Sequence, residues 1–382
     1  MMFGFTELQI IWWAIIGCVL ITYAATAGFD FGATMIMPFM RNEDDRRVIL
    51  NASGRTWDGN QTWIVFAGGA IFVIWPVVYG SIFSGLYAAM LCILWSFFFR
   101  PPGFEYRSKI ESALWRRFWD VGLFVSSFLP VLIFGVAFGN LLEGLPIYFD
   151  PITMRSFYDG NFWGLINWMG IIAGLVSITM LLMHGAAMLH RRTEGDLRRR
   201  MRRLFYIFAW LFLILFTGAG FMVAFAIKGY VLLKSPVDPT AHPLANEVIR
   251  QRGAWILSYG QHPWKAAFPI IAYIATFFAM LTMRIGKGGF AFWCSVFAIV
   301  GVIGTAGAAL YPFVVPSSYK PSESMTIWNA SSAQYTLNVM LYVSVVLFVF
   351  ILLYKIFTYW SVWKDKSSLT IDDIKKNEHT FY

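Results

Sequence analysis

Residues 119–141 read WDVGLFVSSFLPVLIFGVAFGNL: one acid, Asp120, near the head and then 21 residues with no ionisable side chain. About 20 apolar residues make one helical crossing of a bilayer, and only a helix or a closed barrel satisfies every backbone group there. Working outward, the pattern recurs at 8–30, 59–78, 80–99, 163–188, 204–227, 264–283, 290–315 and 336–360. The reading is an all-α integral membrane protein, a single domain over 1–382 with nine transmembrane helices and termini on opposite sides. Between the second and third runs only Pro76 and Gly80 interrupt the apolar stretch, which predicts a tight hairpin or two re-entrant halves turning at 79–80.

Composition agrees. Of 382 residues, 58% are hydrophobic and 13% charged, against roughly 45–50% and about 25% in soluble domains. A soluble globular protein is excluded. The net charge of +9 bears on topology, because cytoplasmic loops retain Lys and Arg. One face holds seven of the 30 cations: Arg155, Lys228, Lys234, Arg250, Arg252, Lys265 and Lys320. The other 23 lie on the opposite face, notably in Arg41 to Arg55, Arg100 to Arg117, Arg191 to Arg203 and the tail, so the N-terminus is expected outside and the C-terminus in the cytoplasm. The Arg191 to Arg203 run reads as a topology anchor near anionic lipid rather than a nucleic-acid patch. Ala25-Thr26-Ala27 has the form of a signal-peptidase site, but no cation precedes Arg41, so the first span is expected to be retained.

No nucleotide loop, HExxH or strand-flanked GxGxxG is present. Cys18, Cys92 and Cys294 fall in apolar runs without ligand spacing and read as buried small side chains. Of five histidines only His184 lies well inside a span; His190 sits at its edge, and His242, His262 and His379 fall in loops or the tail. A lone intramembrane His reads as a packing residue, so haem or metal ligation by this chain is not expected. Gly135 and Gly139 form a GxxxG, and Gly301, Gly304 and Gly307 a small-residue face, for close packing inside the chain or against a partner.

Acids at membrane depth are costly and mark proton or ion routes. Asp30 lies where the first span nears the cytoplasm, Asp58 within Trp57-Asp58-Gly59-Asn60-Gln61-Thr62-Trp63, and Asp120 at the head of the fourth span. The loop before it carries Arg100, Glu105, Arg107 and Lys109. On the expected topology all gather at the inner face, as a proton intake or as capping and ion-pairing residues.

Several stretches then carry a likeness: Gly28-Phe29-Asp30-Phe31-Gly32, the Trp57 to Trp63 run, Phe99 through Lys109, Gly135 through Asn140, Pro312 through Ser318, and Leu337-Asn338-Val339-Met340. Together, in order and almost from end to end, they resemble subunit II of cytochrome bd ubiquinol oxidase. The resemblance implies nine spans, arranged as two four-helix bundles plus one peripheral helix, with a periplasmic N-terminus in the bacterial inner membrane. It further implies pairing with subunit I, which holds haems b558, b595 and d and the quinol-oxidising loop, and a small single-span accessory subunit. Ubiquinol or menaquinol would be the substrate, dioxygen the acceptor, and cytoplasmic protons would be consumed. By the same resemblance Asp58, with Trp57 and Asn60, is the inner part of the proton route, Glu105, Lys109 and Tyr382 are entrance groups, and Trp63 lies near oxygen access from lipid. Glu105 stands where the family often has Asp, and Ala27 where an acid often precedes Gly-Phe-Asp, which shifts weight onto Asp30 and Asp58. Asp120 is counted with the route by its position. The rivals are a proton-coupled secondary transporter, with Pro76, Pro130 and Pro312 marking broken helices, and a purely structural assembly partner.

Overall fold

The computed structural model describes residues 3–235, 246–363 and 368–376. The helices are α1 (Phe5–Ile36), α2 (Glu43–Gly54), α3 (Trp57–Ile74), α4 (Pro76–Gly85), α5 (Tyr87–Phe97), α6 (Arg100–Tyr106) and α7 (Ala113–Glu143). They continue with α8 (Trp168–Arg192), α9 (Gly195–Phe221), α10 (Ala254–Gln261), α11 (Ala267–Arg284), α12 (Gly288–Leu310), α13 (Gln334–Trp363) and α14 (Ile371–Lys376). Among the described residues seven helices, α1, α7, α8, α9, α11, α12 and α13, are long and apolar enough to cross a membrane, and an eighth is added if α3 and α4 count as one broken span. The chain is thus a multi-pass, all-α membrane protein.

The break between α3 and α4 bends the pair by 119° and falls at Trp75, not at 79–80. Its cause is local: a residue before proline is pushed out of the helical region, and Pro76 opens α4 where its missing N–H costs nothing. Of the other prolines, Pro130 lies inside the unbroken α7, and Pro312 follows the end of α12.

Helix α1 is the hub, packed against α3, α7, α8, α12 and α13. Glycine lets it approach α8: a Cβ at Gly32 would collide with the Leu181 carbonyl oxygen and lie 2.8 Å from Gly185 Cα. Gly28 and Gly32 share this face, and Asp30, two residues along, points away from it toward α3. The small-residue faces resolve as internal contacts. A Cβ at Gly135 would lie 2.5 Å from the Ala173 carbonyl oxygen, one at Gly139 2.7 Å from that of Met169, and Gly301 lies against Ala272 of α11.

The two ends differ. At one, three short antiparallel pairs, β1–β2 (Ile147–Phe149 with Ser156–Tyr158), β3–β4 (Lys228–Lys234 with Glu247–Arg252) and β5–β6 (Phe313–Val315 with Met325–Thr326), form a cap. Leu145 N–H donates to Pro316 O at 2.9 Å and Phe149 N–H to Glu323 Oε2 at 2.6 Å, tying the loops together. At the other end α2, α6, the α8–α9 junction and α14 bring the cationic segments together: Asp45 pairs with Arg200 at 3.2 Å, and Leu369 N–H donates to Arg192 O at 2.8 Å. An apolar cavity of about 320 Å³ lies between α1, α7, α8, α9, α11 and α12, with Tyr23 and Phe31 in its wall.

Candidate functional site

At the cation-rich end, Asp30 of α1 is fully buried. Its Oδ2 accepts from Asn60 Nδ2 at 2.5 Å, and its Oδ1 lies 3.3 Å from the Thr56 hydroxyl. Asn60 is the junction. Its Nδ2 also donates to the Thr26 carbonyl at 2.9 Å, while its Oδ1 accepts from Lys355 Nζ at 2.8 Å and from the Tyr359 hydroxyl at 2.7 Å. All four hydrogen-bonding positions of the amide are used, and their chemistry fixes its orientation: the oxygen faces two donors, the NH2 two acceptors.

Arg100 closes the site from α6, 1% exposed. Its Nη1 donates to Ser127 Oγ at 2.8 Å, and Ser127 Oγ lies 2.5 Å from Thr34 Oγ1, one turn beyond Asp30. The guanidinium sits 4.6 Å from the Phe31 ring centroid and 5.5 Å from that of Trp57, close enough for cation–π attraction. Its Nε and Nη2 are buried with no hydrogen-bond partner among the described residues.

The expected residues separate into three groups. Asp30, Asn60 and Trp57 come together with Arg100. Trp57 stacks on Phe104 at 5.1 Å, which draws the start of α3 to the helix that carries Glu105. Asp58, Glu105 and Lys109 are exposed on this chain and make no ion pair among the described residues. Asp120 stands apart: 2% exposed, it accepts from Arg107 Nε at 2.5 Å and Arg46 Nη1 at 3.0 Å, while Arg107 also grips Glu43 through two bonds of 2.8 and 3.1 Å. Trp63 is 1% exposed beneath Phe348 of α13, ring centroids 5.5 Å apart. Tyr382, His242 and His379 lie outside the described residues.

His184 does not suit axial ligation. It is fully buried, its Nε2 is 2.9 Å from the Ala25 carbonyl and its Nδ1 is 2.7 Å from Ser295 Oγ. A carbonyl only accepts, so Nε2 carries the proton and neither nitrogen is open to a metal. Among the described residues no group of three His, Cys, Asp or Glu is arranged to hold a metal ion.

Lys355, Tyr359, Thr56, Thr34 and Ser127 were missed from sequence, whereas Arg100 was among the charges expected at this face. The available signal was Lys355 itself, a cation in the apolar run Leu352-Leu353-Tyr354-Lys355-Ile356-Phe357.

Comparison with known proteins agrees on one family. The family model described as "Cytochrome bd terminal oxidase subunit II" matches residues 8–362. The chain is 44% identical to cytochrome bd-I ubiquinol oxidase subunit 2 of Escherichia coli K12 and 40% identical to the probable cytochrome oxidase subunit 2 of Haemophilus influenzae, in each case over the whole of both chains. It is 27% identical to cytochrome bd ubiquinol oxidase subunit 2 of Bacillus subtilis, over 93% of this chain and 95% of that one. A chain in the structure of bd oxidase from Geobacillus thermodenitrificans shares the fold, with a TM-score of 0.69 at 13% identity, over 94% of this chain and all of the other. By the extent and strength of these matches, the chain belongs to the cytochrome bd terminal oxidase subunit II family.

Proposed function

We propose that this chain, as the non-haem second subunit of a bd-type quinol oxidase, carries cytoplasmic protons toward the haem-bearing subunit I, where quinol is oxidised and dioxygen reduced to water. Haems b558, b595 and d in that partner supply the electron transfer and oxygen chemistry; the residues of this chain hold and move protons. One observation carries the reading: a fully buried carboxylate, Asp30, is held by the neutral donors Asn60 and Thr56, with the exposed Asp58 two residues before Asn60 on α3. A carboxylate bound by neutral donors can take up and release a proton without breaking an ion pair. Glu105 and Lys109 are the collecting rim, joined in this proposal by Tyr382. Asp58 hands on across the subunit boundary, Asp30 with Asn60 is the inner station, and Asp120 fixes the helices around the rim. Trp63 lies along oxygen access from lipid.

The finer architecture follows the same reading. Pro76 to Phe97 forms one helical run interrupted only at Leu86, where Leu86 N–H still donates to Ile82 O at 2.8 Å and Met90 N–H to Leu86 O at 2.9 Å. Counted as one crossing beside α3, it makes nine spans in one membrane domain: one four-helix group of α1, α3, α4–α5 and α7, a second of α8, α9, α11 and α12, and α13 lying outside against α1 and α3. The cation-rich end faces the cytoplasm and the strand-capped end the periplasm, as retention of Lys and Arg requires. A small single-span accessory subunit and ubiquinol or menaquinol complete the assembly.

The test is Asp58→Asn in the assembled oxidase. Oxygen consumption falls several-fold while the haem spectrum is kept; unchanged turnover removes Asp58 from the route, and a collapsed spectrum makes its role structural.

A further inference from the structure

We propose that Lys355, on the last span, is a counter-charge of the inner station, coupled through Asn60 to Asp30 so that this carboxyl can both load and unload a proton. The inference rests on the proton-route reading above. Lys355 is 5% exposed and lies eight residues before the end of α13, about 12 Å inside the helix terminus at 1.5 Å per residue. A lysine that merely snorkelled would extend its ammonium to the lipid boundary. This one turns inward: Nζ donates to Asn60 Oδ1 at 2.8 Å, and a Cβ at Gly59 would lie 3.1 Å from it. The glycine next to Asp58 therefore leaves the space in which the ammonium sits.

Asn60 then determines what the charge can do. Its oxygen takes the ammonium and its NH2 takes Asp30, so cation and anion are held one amide apart and never touch. An amide of this kind is no proton carrier, and the coupling through it is electrostatic. Direct contact would lock the carboxylate as a salt bridge, whereas a cation several ångströms away stabilises the anion and leaves it exchangeable. The groups facing this cluster are Asp30 and Tyr23 of α1, Asp58 of α3, Arg100 of α6, and Tyr354 and Tyr359 of α13. Arg100 also acts on Asp30, but it is fixed by Ser127 and the Phe31 and Trp57 rings, so Lys355 is the cation coupled through the Asn60 amide. Neither Thr56 nor Asn60 carries charge, and the Thr26 carbonyl only accepts.

The experiment compares Lys355→Gln and Lys355→Arg in the assembled oxidase, reading quinol-driven oxygen consumption against pH with the haem spectrum as a check on assembly. Gln can still donate to Asn60 Oδ1 but has no charge; Arg keeps the charge. A carboxylate that loses a nearby cation holds its proton more tightly, so the acid limb for Lys355→Gln moves up by about one pH unit, while Lys355→Arg stays near the wild type. A Lys355→Gln profile that superimposes on the wild type overturns the proposal, as does loss of haem in Lys355→Gln with haem retained in Lys355→Arg, which would make the charge structural. Asp30→Asn, run alongside, separates the two levels. If it leaves turnover unchanged, the proton-route reading falls; if it slows turnover while Lys355→Gln leaves the profile in place, only the role of Lys355 falls.

Discussion

Asp30 and Asp120 are buried to nearly the same degree at the same end of the molecule, 0% and 2% exposed, yet their surroundings are opposite. Asp120 is clamped by two guanidinium groups, Arg107 and Arg46, and Arg107 is clamped in turn by Glu43. Asp30 is held by an amide and a hydroxyl, with its cations at one remove. Burial alone does not make a carboxylate functional. What distinguishes the two is whether losing the negative charge would break a direct ion pair, and only at Asp120 would it do so.

The largest effect expected from breaking this contrast is at the clamp. Burial opposes the charge of Arg107, but its hydrogen bonds to Asp120 and Glu43 outweigh that and hold its pKa above the ordinary arginine value. Arg107→Ala leaves Asp120 buried with only the partly exposed Arg46, and removing one partner of a buried pair costs about 3–5 kcal/mol. The check is retention of the haem spectrum on heating the detergent-solubilised complex, which fails at a clearly lower temperature. A variant as heat-resistant as the wild type would show that the cluster is not structural and that Asp120 belongs with Asp30.

Next comes the converse at the inner station. Asp30→Asn keeps an oxygen acceptor for Asn60 Nδ2, its new NH2 donates to the Thr56 oxygen while the Thr56 hydroxyl turns to the Ser53 carbonyl at 3.2 Å, and the exchangeable proton is removed. Turnover therefore falls about tenfold, equivalent to about 1.4 kcal/mol in the barrier, with heat resistance nearly unchanged. Turnover and heat resistance are measured on the same preparation. If Asp30→Asn lowers heat resistance as much as Arg107→Ala does, the distinction between the two acids disappears.

The legible and illegible parts of this molecule follow the range of the interactions. Long apolar runs such as 119–141 carry their own evidence, because the bilayer imposes a length and a composition on each helix. Asp30 and the Trp57 to Trp63 run stood out because polar groups are rare at such depth. The α3–α4 break was half legible: Pro76 marked it, but the steric effect of proline on the preceding residue moved it to Trp75. Lys355 was visible as a cation in an apolar run, but its role was not legible, since a lysine toward the end of a span reads as a topology charge and its partner Asn60 is 295 residues away. Nor could the GxxxG spacing show that Gly135 and Gly139 face α8 and not a partner, because a small residue admits any close neighbour. The pairing of Asp120 with Arg46 and Arg107 likewise depended on α2 and α6, short helices outside every apolar run.

The smallest effect is expected at a third acid, and it sharpens the contrast by showing an ion pair that matters little. Asp45 lies in the first turn of α2, paired with Arg200 at 3.2 Å, with the two side chains 20% and 43% exposed. Burial is the largest influence on it and outweighs Arg200, with Asp44 and Asp196 acting in the same direction as burial, so its pKa is held above the ordinary carboxylate value. For an acid raised in the folded state, the stabilising contribution is present below the unfolded pKa and is lost as pH rises through the folded one. At neutral pH the ionised Asp45 is therefore a slight liability despite its visible partner. Asp45→Asn should change stability by no more than about 0.5 kcal/mol, as for other half-exposed pairs, and in the stabilising direction, with the difference from wild type shrinking as the solution is acidified toward the carboxylate range. Heat resistance of the two proteins at neutral and mildly acidic pH measures this. A loss approaching that of Arg107→Ala would mean that the α2–α9 contact is as much a clamp as the one around Asp120, and that half-exposed pairs at this end act together with the buried cluster.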